Sequence, residues 1–244
     1  QTLPLVYLLE DRRWVPRETA FMRDPADHGR FITQWNHHCI RCHSTGGNPG
    51  LNEKTGLLET RVAEFGVACE ACHGPGEQHV AHQRREESGA DLGLELDPIV
   101  NPKKLDHRRS SETCGQCHGV FVMRDEFAMK SAHEGALFKP GDDLHQTRYY
   151  IQYPKPGAAP DRVEDLRRNP DFFRERWWED GTILAGGREY TALSASGCYL
   201  RGEISCLSCH SMHRSDPNDQ LKRFPSDNAQ CTQCHQEPKY TDRL

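Results

Sequence analysis

Apolar residues lie along the chain in short runs that polar and turn-forming residues separate. Near the start, LVYLL and WV flank the polar stretch EDRR, which predicts a small β-hairpin within residues 1–35. The stretch DGTILAGGREY predicts another hairpin, with Asp180 and Gly181 at its turn. QYPKPGAAP is typical of a loop, and VEDLRRNPDFFRERWWED indicates two short helices on either side of Asn169 and Pro170. The pattern predicts mainly short α-helices and loops, with one or two small β-hairpins.

The composition provides little apolar material for a packed core. Hydrophobic residues make up 35% of the 244 residues, charged residues make up 27%, and the mean hydropathy is −0.83. A chain this polar buries too little apolar surface to fold well by side-chain packing alone. We therefore expect either much loop or a core that something other than side chains helps to fill.

Charge and hydropathy exclude two classes of partner. The net charge is −5, both signs are spread along the chain, and no basic stripe indicates nucleic acid binding. The longest strongly apolar run, LPLVYLL, is far too short to span a membrane. We expect neither a nucleic acid partner nor a membrane span.

Ten of the eleven cysteines lie in five copies of one pattern, CxxCH. The copies are Cys39, Cys42 and His43; Cys69, Cys72 and His73; Cys114, Cys117 and His118; Cys206, Cys209 and His210; and Cys231, Cys234 and His235. This pattern attaches c-type haem: the two sulfurs bond to the vinyl groups, and the histidine is the proximal iron ligand. Two intervening residues form about one tight turn, which sets the sulfurs at the vinyl spacing. The sequence therefore predicts five covalently bound haems c.

Other uses of paired cysteines explain the pattern less well. Zinc sites take two CxxC pairs for one ion and need no histidine after each pair. A disulfide framework leaves the five histidines unexplained, and thioredoxin-like CxxC motifs need a βαβ setting that is absent from the sequence pattern.

Five haems would also supply the missing apolar core. Because c-type haem is attached outside the cytoplasm, we expect an exported protein, periplasmic or extracellular, whose targeting segment has been removed before Gln1.

Nine further histidines are candidates for the second axial position: His28, His37, His38, His79, His82, His107, His133, His145 and His213. Bis-histidine ligation, with low reduction potentials, is therefore predicted. A Gly-Pro-Gly turn leads to His79, His107 precedes the third motif by seven residues, and His213 follows His210 by one helical turn. One of His37 and His38 is the fourth candidate, and the fifth is open among His28, His133 and His145. His37 and His145 complete the predicted set, whereas His82 is expected at the surface.

The motifs divide the sequence into four intervals of what we expect to be one compact domain. Residues 1–35 form the N-terminal hairpin segment, 36–118 carry three motifs, 119–205 carry none, and 206–244 carry two. The interval without motifs is predicted to wrap the haems. The remaining cysteine, Cys198, is predicted to be buried and inert. Arginine supplies 23 of the 31 basic residues, and its planar guanidinium suits haem propionates.

Several longer strings resemble one branch of the multihaem cytochromes c. They are WNHHCIRCHSTGG, GVACEACHGPGEQH, CGQCHG, FKPGDDL, DGTILAGGREY and CYLRGEISCLSCHSMH. That branch includes the tetrahaem electron carriers of ammonia oxidisers and the cytochrome domains fused to tetratricopeptide repeats. The resemblance runs from about Trp14 to His235, and it implies haem attachment at each motif with His79 and His213 as distal ligands. The sequence has no tetratricopeptide repeat, and five motifs exceed the tetrahaem pattern, so the haem order is not carried over.

These features predict an electron-transfer protein rather than an enzyme. Irons with two histidine ligands cannot bind substrate but can pass electrons, so the expected partners are redox proteins, other cytochromes, or copies of the chain in an extracellular conductive filament. The alternative is a multihaem redox enzyme of the nitrite or hydroxylamine type with one open haem. Pentahaem nitrite reductases carry a CxxCK motif at their catalytic haem, and this sequence has none.

Overall fold

Every regular element of the structure is short, and the chain forms two compact units. The computed structural model describes residues 4–20, 34–36, 38–93, 95–154, 170–184, 186–213, 220–222 and 228–236. The helices in these ranges are α1 (Arg17–Ala20), α2 (Cys69–His73), α3 (Glu77–Glu87), α4 (His107–Gly115), α5 (Asp125–Glu134), α6 (Pro170–Arg174), α7 (Glu189–Ala195), α8 (Gly197–Arg201), α9 (Cys206–Cys209) and α10 (Ala229–Thr232). Single turns of 3₁₀-helix cover Cys39–Arg41, Pro102–Lys104 and Leu144–Gln146.

The strands pair two by two and build no larger sheet among the described residues. They are β1 (Leu5–Leu8), β2 (Arg13–Pro16), β3 (Ser44–Thr45), β4 (Leu51–Asn52), β5 (Leu57–Leu58), β6 (Glu64–Phe65), β7 (Phe121–Met123) and β8 (Arg148–Tyr150). β1 pairs with β2, β3 with β6, β4 with β5, and β7 with β8. The predicted class of short helices, loops and small hairpins is confirmed. The sheets outnumber the predicted hairpins because strands of two or three residues are too short to show an alternating pattern.

The first unit comprises Gln1–Val100, Phe121–Pro140 and His145–Tyr149. Its hairpin of β1 and β2 is the one that EDRR predicts, with antiparallel strands in which Leu5 lies opposite Pro16. The rings of Tyr7 and Trp14, also opposite each other, have centroids 5.2 Å apart. Such cross-strand aromatic pairs stabilise a hairpin.

Ile40 anchors the first CxxCH motif in this unit, because its side chain is fully buried. A Cβ on Gly47 would lie 2.8 Å from Ile40 Cγ1, so only glycine fits against this side chain. The hydroxyl of Ser44 donates to the carbonyl of Ile40 at 2.5 Å and closes the turn. The packing of Ile40 and this hydrogen bond together fix the turn of the motif.

The second unit comprises Asn101–Val120, Gly141–Leu144 and Tyr150–Leu244. Its core lies where α4 packs on α7 and α9, and where α7 packs on α8. Tyr190 and Tyr199 are almost fully buried there. Asp106 caps the N-terminus of α4 by accepting hydrogen bonds from two backbone N–H groups of the first turn. The cap and the aromatic core together hold the helix that carries the third motif.

The turn predicted at Asp180 and Gly181 is present, but its flanks differ from the prediction. The backbone N–H of Gly181, which has a φ of +84°, donates to the carbonyl of Trp178 at 2.9 Å. One antiparallel bridge, Trp177 with Ile183, replaces a pair of strands. The end of the predicted hairpin is the start of α7, because Glu189 and the residues after it pack on α4 as a helix. None of the described helices is long and apolar enough to cross a membrane.

Candidate haem attachment sites

All five CxxCH motifs adopt the same local structure, a single helical turn. In the second motif the five residues form α2. In the other four, the backbone N–H of the histidine donates to the carbonyl of the first cysteine: His43 to Cys39 at 2.8 Å, His118 to Cys114 at 3.0 Å, His210 to Cys206 at 2.9 Å and His235 to Cys231 at 3.0 Å. The backbone turn keeps the two cysteines and the histidine of each motif within about one helical turn of one another, as attachment of a c-type haem requires.

The cysteines have the accessibility that attachment needs. All eleven are described and none is in a disulfide. Among the ten in motifs, Cys69, Cys231 and Cys234 are exposed, and the other seven are half-buried. The eleventh, Cys198, is exposed as well, so the prediction that it is buried is wrong. Its helix α8 presents Tyr199, not Cys198, to the core.

His73 and His118 are proximal histidines whose Nδ1 has a hydrogen-bond partner. His73 Nδ1 lies 2.7 Å from the carbonyl oxygen of Val100, and His118 Nδ1 lies 2.8 Å from Oε2 of Glu189. A carbonyl accepts only, so Nδ1 of His73 is the protonated nitrogen and Nε2 carries the lone pair. This arrangement is typical of metal-bound histidine, whose second nitrogen donates to an outer partner. The residues present therefore fit a haem iron.

His79 has the same arrangement among the predicted distal ligands. Gly74, with a φ of +77°, ends α2, and α3 begins three residues later and carries His79. Nδ1 of His79 lies 2.7 Å and 2.8 Å from the two carboxylate oxygens of Asp97. The hydrogen bond with His79 is the main reason why the pKa of Asp97 lies below its usual value. Nε2 of His79 remains the nitrogen for an iron.

The distal candidates His107 and His213 have surroundings that differ from those of His79 and from each other. His107 packs edge-on against Tyr199, and its Nε2 lies 3.3 Å from the carbonyl oxygen of that residue. His107 and Ser208 of the fourth motif line one cavity of about 430 Å³. His213 is exposed, but α9 ends at Cys209 and His210 is extended in a bridge with Leu221. The predicted helical offset between His210 and His213 is therefore wrong.

Two histidines have unexpected environments. His133 uses both ring nitrogens, since Nδ1 lies 2.8 Å from the carbonyl oxygen of Leu51 and Nε2 lies 2.9 Å from Oε1 of Glu53. In this arrangement neither nitrogen is available to an iron. His82 is 7% exposed, so the prediction of a surface position is wrong: α3 turns this side chain inward, towards Glu95.

The remaining candidates give less information. His38 and His145 are exposed, the latter on the 3₁₀ turn Leu144–Gln146. His28 and His37 lie outside the residues that the structure describes. The predicted choice between His37 and His38 therefore stays a prediction.

The three motifs of the second unit follow one another in space. Helix α4, which carries Cys114 of the third motif, packs on α9, which begins at Cys206 of the fourth motif. Interaction with the Cys114 thiol outweighs the effect of burial and lowers the pKa of Cys206 to about 7. Burial raises the pKa of Cys209 in the fourth motif, and the nearby Cys231 and Cys234 of the fifth motif raise it further.

Positive charge lies close to the first motif. Arg41, between its two cysteines, has a pKa below the usual value, first because it is partly buried and second because Arg148 is near. Arg148 is buried, and its guanidinium carbon lies 4.4 Å from the centroid of the Phe121 ring. Two neighbouring guanidinium groups favour a carboxylate, and haem propionates supply this group.

Sequence reasoning missed the outer partners of the histidines, namely Asp97, Glu189 and the Val100 carbonyl. Glu189 follows His118 by 71 residues, and Val100 follows His73 by 27. No local pattern marks a partner at such separations.

Known proteins resemble the chain in parts of its sequence and in its fold. The family model "Cytochrome c554 and c-prime" matches residues 16–74, and the model "Doubled CXXCH motif" matches residues 200–240. The crystal structure of the outer cell wall cytochrome OcwA is similar over 96% of this chain and 49% of its own, with 18% identity and a TM-score of 0.52. The undecahaem cytochrome from the S-layer of Carboxydothermus ferrireducens is 21% identical over 96% of this chain and 32% of its own, with a TM-score of 0.38. No curated protein matches the chain.

The chain spans about half the length of the outer cell wall cytochrome. At this identity the likeness to that structure concerns the fold alone. The two family models concern the motifs, and each covers less than half of the sequence. The motifs, their common turn and these matches together support a multihaem c-type cytochrome.

Proposed function

We propose that the chain is an electron carrier, not an enzyme, and that it holds five haems c. Each haem is attached by the two cysteines of a CxxCH motif, with the histidine of that motif as proximal ligand. When bound, haem c provides an iron that cycles between the ferric and ferrous states. The contribution of the polypeptide is to fix each ring, to complete the ligation of the iron and to set its potential.

The contact between consecutive motifs carries this proposal. In the second unit α4, which carries Cys114, packs on α9 (Cys206–Cys209), and Cys209 lies near the cysteines of the fifth motif. Haems attached at neighbouring turns would lie near one another, and stepwise electron transfer needs such a row. Such a row suits an electron carrier, and the lack of a CxxCK motif in the sequence argues against a pentahaem enzyme.

Most irons are proposed to have two histidine ligands, with His79, His107 and His213 as the first distal candidates and His37 and His145 after them. His79 has the strongest support, because Asp97 holds its Nδ1 and leaves Nε2 for an iron. His107 lines a cavity together with the fourth motif.

The number of histidines limits ligation in the second unit. That unit contains three CxxCH motifs, and the only histidines it has beyond those of the motifs are His107 and His213. The second unit therefore has only two distal histidines of its own for three irons. One iron takes a different ligand, takes a histidine from outside the unit, or stays open.

The missing third distal histidine bears on two possibilities, a filament and a redox enzyme. A histidine donated by another copy of the chain would join molecules into a filament outside the cell, where the haem rows would be continuous. An open iron would instead support a redox enzyme of the nitrite or hydroxylamine type. Such an enzyme is the alternative to the electron carrier. Redox proteins are the expected partners in either case, and export to the periplasm or the cell exterior follows from the haem type.

Ligand binding by the oxidised holoprotein tests the proposal. Visible and electron paramagnetic resonance spectra are recorded with and without cyanide, which binds only open irons. A carrier gives low-spin spectra in which cyanide alters at most one haem. High-spin signals from several haems, all of them altered by cyanide, would contradict the carrier. Electron microscopy of the same sample distinguishes filaments from discrete particles.

A further inference from the structure

The start of helix α7 holds the end of the third CxxCH motif through three consecutive residues. The backbone N–H of Tyr190 donates to the carbonyl of His118 at 2.8 Å. The hydroxyl of Thr191 accepts from the backbone N–H of Val120 at 2.8 Å, inside the core. Oε2 of Glu189 lies 2.8 Å from Nδ1 of His118. Of these three contacts, only the one between Glu189 and the ring of His118 involves a charged side chain.

The carboxylate of Glu189 is itself held in place. Its Oε1 accepts from the backbone N–H of Gly187 at 3.0 Å. Glu189 is also in the first turn of α7, where the helix dipole favours a negative charge. An exposed glutamate carboxylate that accepts hydrogen bonds carries its negative charge at neutral pH.

His73 provides an internal comparison. Its Nδ1 donates to the carbonyl of Val100, which is a neutral acceptor, whereas Nδ1 of His118 faces a full negative charge. A carboxylate partner makes a metal-bound histidine a stronger donor to the metal. Stronger donation, like any nearby negative charge, favours the ferric over the ferrous iron and so lowers the reduction potential.

We propose that Glu189 is a positioning residue that lowers the reduction potential of the haem on Cys114 and Cys117 through the ring of His118. This inference rests on the proposed haem attachment at the third motif. A lower potential makes that haem easier to oxidise than it would be with a neutral partner at Nδ1 of His118.

The size of the effect follows from the exposure of the pair. The side chains of His118 and Glu189 are 57% and 58% exposed, so solvent screens the charge. Loss of an outer partner typically changes the properties of a metal site about 10-fold to 100-fold, and we expect the lower end. A tenfold change in the ferric-to-ferrous ratio corresponds to about 59 mV for a one-electron couple.

The test is a spectroelectrochemical titration of the holoprotein carrying Glu189→Gln. Glutamine keeps an oxygen that can accept from His118 and removes only the charge. Glu179→Gln is the matched control, since Glu179 is an exposed acid of the same unit whose side chain has no contact with a proximal histidine. Mass spectrometry first confirms that each variant holds as many haems as the wild type, which separates a failure of haem attachment from a failure of tuning.

We expect one component of the Glu189→Gln titration to shift positively by about 59 mV while the others stay in place. Glu189→Ala should shift the same component at least as far. If Glu189 only orients the ring, Glu189→Gln will titrate like the wild type and only Glu189→Ala will differ. That result, or an equal shift in Glu179→Gln, overturns the proposal.

Discussion

Gly115, between the two cysteines of the third motif, tests whether the aromatic core of the second unit fixes the haem-bearing turn. A Cβ at this position would lie 2.7 Å from both Cγ and Cδ1 of Tyr190. The ring of Tyr190 is 1% exposed and packs edge-on against Tyr150 at a centroid distance of 4.8 Å. It therefore has no free space into which to move. We predict that Gly115→Ala destabilises the protein.

The magnitude comes from two opposing effects. Overpacking a well-packed core costs about 1–3 kcal/mol. Alanine is favoured over glycine by about 1 kcal/mol inside a helix and by less at its end, and Gly115 is the last residue of α4. The net loss in the wild-type background is therefore up to about 3 kcal/mol. In a Tyr190→Ala background the clash is absent, and Gly115→Ala should stabilise by up to about 1 kcal/mol.

The assay is urea unfolding of the oxidised holoprotein, followed by far-ultraviolet circular dichroism, for all four members of the double-mutant cycle. Tyr190→Ala alone should lower the free energy of unfolding by about 3–5 kcal/mol, which leaves a measurable transition for a domain of ordinary stability. We expect Gly115 and Tyr190 to be coupled by about 1–3 kcal/mol. An equal effect of Gly115→Ala in both backgrounds would refute the packing argument.

Two further predictions concern a distal ligand and a helix cap. His79→Ala should convert one haem from low to high spin in the visible spectrum. His133→Ala should leave the spectrum unchanged, because both ring nitrogens of His133 are bonded to Leu51 and Glu53; the opposite pattern would exchange their roles. Asp106→Ala should lower the free energy of unfolding by about 1 kcal/mol, and Asp106→Asn by less, as measured by urea unfolding. Backbone hydrogen bonds lower the pKa of Asp106 in the folded protein. The stabilisation by Asp106 should therefore be complete above the unfolded pKa of about 3.9 and disappear as the pH falls through the lower folded pKa. If Asp106→Ala lowers the free energy of unfolding equally at pH 7 and at pH 2, that result argues against the cap.

Local features of the structure follow from the sequence because local hydrogen bonds create them. Each CxxCH turn is closed by a bond between residues four apart, as in His43 and Cys39, so spacing alone predicts it. The N-terminal hairpin follows from apolar runs on both sides of a polar turn. The glycines after His73 likewise predict that the helix ends there.

Features that depend on distant residues could not be predicted in this way. Whether His82 is buried depends on the segment that packs on α3, and the sequence around it gives no sign of that. Cys198 and Tyr199 are neighbours in sequence, yet α8 directs only the second into the core. The partner of His118 is 71 residues away, and its position depends on the packing of α7 on α4.

The central claim is that all five CxxCH turns carry covalent haem, and intact-protein mass spectrometry tests it most directly. The measurement uses the denatured holoprotein, so that only covalently bound groups remain. Five attached haems predict the polypeptide mass plus five haem masses, with one haem on each of the five motif peptides after proteolysis. A polypeptide with fewer haems, or a motif peptide whose two cysteines react as free thiols, would contradict the claim.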